Sequence, residues 1–137
     1  MATSATTVGT IFPAIRFDDA RTMIQWLGEA FGFEPMAVYD APDGSVAHAE
    51  LRLERGAIMI GQSRADDFGT LSPRTAGGVT QMIYAWVADV DAHHRRAVDA
   101  GAEIVRPLAD TPYGSREYSA RDPEGHVWSF GSYLPGA

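Results

Sequence analysis

The feature that most restricts the fold of this chain is an internal repeat. Asp40-Ala41-Pro42-Asp43-Gly44-Ser45 returns as Asp110-Thr111-Pro112-Tyr113-Gly114-Ser115, so Asp, Pro, Gly and Ser recur at an offset of 70 residues. The same offset lays Arg16-Phe17 on Trp86-Val87 and Gly61 on Gly131, and Gly56 falls one position from matching Gly125. A single D-x-P-x-G-S match is no more than two similar turns. Several elements agreeing on one offset point to a duplicated supersecondary unit, whose copies must complete each other's cores. A chain of 137 residues with 45% apolar content is long enough to do this as one domain.

Each copy carries the same order of local signals. In the first unit, residues 10–62, a strand is predicted over 10–17, and Asp18 and Asp19 offer N-cap side chains to a helix over 20–31. Met23, Ile24, Leu27, Ala30 and Phe31 recur at helical spacing, and Gly32 ends the helix. Strands follow over 34–39, 46–53 and 57–62, separated by the Pro42-Asp43-Gly44 turn and a tight turn at Arg55-Gly56. The second unit, 80–133, repeats this with a strand over 81–88, a helix capped by Asp89 and ending near Ala100, and strands over 103–107, 116–121 and 126–133. Residues 1–9 read as a flexible N-terminal tail. Residues 63–79 read as a linker or a loop lying over something.

Composition removes several classes of function. A formal net charge of −7 is wrong for a nucleic-acid partner, which requires a basic surface, and is compatible with cationic ligands or simply with solubility. No apolar run is long enough to span a bilayer and the N-terminus has no export-signal pattern, so a cytoplasmic protein with no membrane partner is expected. The chain has no cysteine, which excludes disulfides and thiolate metal sites.

Alternation assigns faces to the strands. Ala47, Ala49, Leu51 and Leu53 are expected beneath the helix, with His48, Glu50 and Arg52 on the opposite face. Ile11, Pro13, Ile15 and Phe17 share the helix side, and Phe12, Ala14 and Arg16 face away. In the second unit Ile83, Ala85 and Val87 point to the core, and Met82, Tyr84 and Trp86 away from it. The face turned from the helices thus mixes aromatic, thioether and charged groups, as a ligand-lined concavity does. Tyr84 and Trp86 either stack on a ligand or pack between halves or copies; Trp128 belongs to the core.

The duplicated unit, the segment VADVDAHHRRAVDAGAEIV and the ending SARDPEGHVWSFGSY together make the chain similar to the vicinal oxygen chelate superfamily, which holds glyoxalases, extradiol dioxygenases and bleomycin-resistance proteins. The resemblance implies an α+β fold in which two tandem βαβββ units form a curved mixed sheet around a cleft, and it implies pairing into a homodimer. Metal-using members take His, Gln or Glu from the first and last strand of each unit. Those positions map to Phe12, Met59, Met82 and Ser129, again in pairs 70 apart. A phenyl ring, two thioethers and a hydroxyl are poor donors for a hard divalent ion, so no cofactor is expected, a divalent metal being the lesser alternative.

The expected function is therefore a metal-free small-molecule-binding protein that sequesters an aromatic or cationic antibiotic or metabolite. Its ligand-binding residues would be Phe12, Arg16, His48, Glu50, Arg52, Met59, Met82, Tyr84, Trp86, Tyr118 and Ser129. The alternative is a lyase, isomerase or dioxygenase with a displaced metal, or with His48 and Glu50 as base and orienting carboxylate. His93 and His94 are expected at solvent or at the helix edge, His126 at a strand start, and Asp122 as an acceptor within its own turn.

Overall fold

The computed structural model describes residues 9–137; most of the tail expected over 1–9 lies outside them. The elements are β1 (Ala14–Phe17), α1 (Ala20–Phe31), β2 (Glu34–Asp40), β3 (Val46–Leu53), β4 (Gly56–Gln62), α2 (Pro73–Ala76), β5 (Ile83–Trp86), α3 (Val90–Asp99), β6 (Glu103–Asp110), β7 (Arg116–Arg121) and β8 (Val127–Gly131). They form two four-stranded sheets, ordered β1-β4-β3-β2 and β5-β8-β7-β6. In each sheet the first strand runs parallel to the last and the other pairings are antiparallel. This is the expected α+β arrangement of two βαβββ units.

The local chemistry explains the helix ends. Asp19 accepts from the Thr22 N–H and Asp89 from the Ala92 N–H, each satisfying one of the donors a helix N-terminus leaves open. Gly32 closes α1 in the left-handed region at φ 86°, which costs a β-carbon-bearing residue energy and glycine almost none.

The helices of the two units then cap each other. Trp26 Nε1 of α1 donates to the Ala100 carbonyl (3.1 Å), while Arg96 of α3 donates to the carbonyls of Gly28 (2.7 Å) and Glu29 (2.8 Å). Trp26 and Arg96 are 70 residues apart, so equivalent positions perform reciprocal tasks with unrelated side chains. Beneath them lies one apolar cluster drawn from both units, including Phe17, Leu27, Phe31, Leu51, Ile60, Tyr118, Trp128 and Phe130.

Several sequence expectations need correction. β1 starts at Ala14, not residue 10, because Pro13 has no N–H to donate, and Ile11, expected on the core side, is 88% exposed. β6 continues to Asp110, since its pairing with β7 persists to Asp110 and Arg116. In β3 it is Val46 that is buried, and Ala47 is exposed. The pairing shows why: Tyr39 faces His48 but Asp40 faces Val46, so β3 carries one extra residue at Ala47.

That bulge changes the equivalence between units. Ile60 and Phe130 remain 70 apart, but their partners Ala49 and Tyr118 are 69 apart. Tyr118, expected in the cleft, is therefore in the core at 1% exposure, and Ser119 takes the open face.

His93, expected at solvent, is also half-buried and holds the units together. Its Nε2 lies 2.8 Å from the Phe31 carbonyl, which can only accept, so Nε2 carries the proton and Nδ1 (2.6 Å) accepts from the Tyr118 hydroxyl. Burial, seconded by the charge of Arg96, lowers the His93 pKa below its ordinary value; burial alone pushes the Tyr118 hydroxyl up. The folded state thus refuses a proton that the unfolded state accepts. Stability from this site is full above the unfolded pKa of about 6.5 and is lost as pH falls through it, until the lower folded pKa is passed. His93→Gln should flatten the fall in urea-unfolding free energy between pH 7 and pH 5; an unchanged slope would contradict this account.

Candidate functional site

The sheet faces turned away from the helices carry most of the expected site residues. Across the first sheet Ala14, Met59 and Glu50 lie side by side on β1, β4 and β3. Across the second, Tyr84, Ser129 and Ser119 occupy the matching row on β5, β8 and β7. Beside the first row, His48 Nε2 approaches Glu50 Oε2 at 2.9 Å, and the His48 ring stacks on Tyr39 with centroids 6.2 Å apart. Arg52 follows on the same face, and its buried Nε has no hydrogen-bond partner among the described residues.

Arg16 organises the linker. Its guanidinium donates to Asp66 Oδ2 (2.7 Å), to the Thr70 hydroxyl (3.1 Å) and to the Arg64 carbonyl (3.3 Å), and lies 5.4 Å from the centre of the Phe68 ring. The hydrogen bond to Arg16 pulls the Asp66 carboxyl below the usual range, and the same contact raises Arg16. Segment 64–70 consequently roofs a cavity of about 370 Å³ over the first sheet, lined by Arg16, Ala47, His48, Met59, Gly61 and Phe68 among others.

A second cavity, of about 350 Å³, separates β1 from β5 and β8 beneath residues 68–82. His126 lines it, and its buried Nε2 has no partner among the described residues. Pro73 at the start of α2 sits against Gly125, where an added β-carbon would come within 3.0 Å of it, and Arg74 donates to the Pro123 carbonyl at 2.9 Å. The linker is therefore fastened to both units.

On the second sheet, the Tyr84 hydroxyl donates to the Tyr133 carbonyl at 2.5 Å, and burial, with the Glu117 charge, raises its pKa. Ser119 Oγ and Ser129 Oγ are 2.6 Å apart and satisfy each other. Trp86 lies on the same face, beside Gly131. Met82 is exposed just before β5, and Phe12 is half-buried just before β1. Trp128 is wholly buried, as expected, and Asp122 accepts from the N–H groups of Glu124 and His126 in its own turn and also from the Trp128 indole.

The superfamily's metal positions can be tested on donor chemistry. Met59 and Ser129 do lie at the centres of the two open faces, but one is a thioether and the other a hydroxyl already engaged by Ser119. Phe12 offers no lone pair and Met82 another thioether. These residues do not fit a hard divalent ion. Among the described residues, no three His, Cys, Asp or Glu side chains converge elsewhere as an ion site.

Sequence reasoning missed Ser119 and Glu117 on the second face and Asp66 and Phe68 over the first. The β3 bulge hid the former pair, because it changes the offset between units inside a strand. The latter pair had only loop composition to mark it.

No helix among the described residues is long and apolar enough to cross a membrane. Comparison with known proteins places this geometry. An uncharacterized protein of Mycobacterium bovis is 35% identical over 121 residues, covering 87% of this chain and 80% of its own length. The crystal structure of TioX from Micromonospora sp. ML1 superposes with a TM-score of 0.72 at 34% identity, covering 94% of this chain and 99% of that one. The fosfomycin resistance protein FosX of Listeria monocytogenes shares the fold alone, with a TM-score of 0.67 at 15% identity over 93% of this chain and 94% of its own. The family model described as Glyoxalase/Bleomycin resistance protein/Dioxygenase superfamily matches residues 9–130, and the chain belongs to that superfamily.

Proposed function

We propose that this protein is a metal-free binder of a small organic molecule, aromatic or cationic, of the kind that sequesters an antibiotic or metabolite. The observation that carries the reading is the chemistry at the positions where metal-using relatives place imidazoles and carboxylates: thioether and hydroxyl groups at Met59 and Ser129 in the centres of the open faces, a phenyl ring at Phe12 just before β1 and a second thioether at Met82 just before β5. The roofed cavity beside His48 and Met59 supports it, as do Tyr84 and Trp86 on the second face, whose rings suit stacking on a flat ligand.

Tryptophan fluorescence tests this directly. Trp128 is buried and Trp26 packs against the core, so a ligand on the open face should report through Trp86. A saturable change is expected with at least one compound from a panel of planar aromatics and organic cations, and Trp86→Phe should abolish it. A silent panel, or an identical response in Trp86→Phe, would remove the support.

The contact between His48 and Glu50 favours one further reading, a lyase, isomerase or dioxygenase using that pair as base and orienting carboxylate, or a displaced metal. Protein purified without chelators should carry substoichiometric Mn, Fe, Ni or Zn. Stoichiometric metal lost in His48→Ala would replace the binding-protein reading with this one. We also propose a homodimer in the cytoplasm, the pairing supported by exposed Ile11, Phe68, Leu71 and Met82 near the free edges of β1 and β5. Sedimentation of the intact chain as a monomer at micromolar concentration would contradict the dimer.

A further inference from the structure

The second sheet carries an acidic group in an aromatic setting that the repeat does not copy. Glu117 on β7 is the positional counterpart of His48, by the same bulge-shifted offset of 69 that relates Ser119 to Glu50. It stands opposite Gly131, which in turn stands beside Trp86. A β-carbon added at Gly131 would lie 2.6 Å from Glu117 Cγ and 2.8 Å from the Tyr84 hydroxyl oxygen. The glycine therefore gives up its side-chain volume so that a carboxylate and a phenol ring meet on the open face.

Two more rings complete the surround. The Tyr113 hydroxyl donates to Glu117 Oε1 at 3.0 Å, and the Tyr113 and Tyr133 rings meet edge to face with centroids 6.1 Å apart. Tyr84 is tied to the same strand end through the Tyr133 carbonyl. Tyr113 and Tyr133 remain largely exposed, at 63% and 49%.

What Glu117 lacks, among the described residues, is an ion-pair partner. The chain's positive charges are eleven arginines and no lysine. Arg116, next in sequence, is committed to Asp91 at 2.7 Å and Asp110 at 3.1 Å. Arg106 is felt electrostatically at Tyr113, but no arginine among the described residues forms an ion pair with Glu117. A carboxylate bordered by phenol rings favours an alkylated ammonium ion, which sheds water cheaply and is attracted by the charge and by any ring quadrupole it can reach.

We propose that Glu117 with the Tyr84, Tyr113 and Tyr133 rings forms a subsite for an organic ammonium group. It rests on the reading of the open faces as a small-molecule site and narrows the ligand to one with a cationic arm. The site is separate from His48 and Glu50 and requires neither.

Calorimetric titration of the full chain with choline, against its uncharged isostere 3,3-dimethylbutan-1-ol, tests the proposal. Choline should bind about tenfold more tightly than the isostere, and Glu117→Gln should remove that preference. Tyr113→Leu, at an exposed ring, should weaken choline binding a few-fold. Indole, followed by calorimetry, serves as the neutral aromatic probe and should respond equally in wild type and Glu117→Gln. Equal binding of choline and isostere, no choline binding by folded wild type, or an undiminished preference in Glu117→Gln would each overturn the subsite. A retained indole response in any of these cases leaves the broader binding reading standing, and its loss in wild type counts against that reading as well.

Discussion

Trp128→Ala is expected to destabilise the protein by about 3–5 kcal/mol, on the scale of the largest core truncations. The indole is fully buried on β8 and touches rings from both units. Phe31 and Phe33 of the first unit lie 5.7 and 5.5 Å away, and Phe130 of the second lies parallel at 6.5 Å. Truncation opens a cavity where the two units share their core, and such cavities relax only partly. It also removes the donor at 3.0 Å from Asp122 Oδ2, a carboxyl whose pKa burial already raises. Domains of this size are stable by about 5–15 kcal/mol, so the variant should sit near its unfolding midpoint in mild urea. Trp128→Phe keeps most of the packing and should lose about 1–3 kcal/mol, mainly because Asp122 Oδ2 loses its donor while Oδ1 keeps the Glu124 and His126 N–H groups. Urea unfolding of both variants, followed by circular dichroism, checks the order; a cost below about 1 kcal/mol for Trp128→Ala would show that the units do not share this core.

The sequence revealed the architecture because the repeat lies in turns, caps and apolar stripes, which are local. Asp19, Asp89 and Gly32 do what their positions predict, since a cap needs only the first or last turn of its own helix. The β3 bulge was not legible for a physical reason. Val46, Ala47 and Ala49 are all small and apolar, so alternation holds equally well in either parity, and only the partner strand shows where the extra residue falls. One slip of parity carried Tyr118 into the core and brought Ser119 and Glu117 onto the open face. His93 was misread for a different cause, because its two partners, the Phe31 carbonyl and the Tyr118 hydroxyl, belong to distant elements. At the site, the donor-poor positions could be read from side-chain types alone. The Arg16 latch to Asp66 could not, since it joins a strand to a loop 50 residues away.

Glu124→Ala is expected to cost about 3 kcal/mol or more, and Glu124→Gln about half of that. Glu124 sits in the turn between β7 and β8 yet serves the first unit: its two oxygens accept from the backbone N–H of Asp18 (2.6 Å) and of Asp19 (2.8 Å) at the start of α1. At 4% exposure it is nearly withdrawn from water. Both bonds are charge-assisted, and the negative group lies at the positive end of the helix dipole. The amide of Gln keeps one acceptor but turns an NH2 toward a backbone donor. Ala leaves two N–H groups without their acceptor. The repeat makes the contrast sharp, because the shorter turn between β3 and β4 of the first unit carries Glu54, which is exposed and makes no such bond among the described residues. Arg74 and Asp18, 3.5 Å apart across the same junction but with side chains 58% and 42% exposed, should by comparison contribute under 1 kcal/mol when Arg74 is replaced by Ala. Urea unfolding monitored by fluorescence and circular dichroism together should show Glu124→Ala lowering the midpoint strongly while Arg74→Ala barely moves it. Equal, small effects from the two variants would mean that the buried carboxylate does not couple the units.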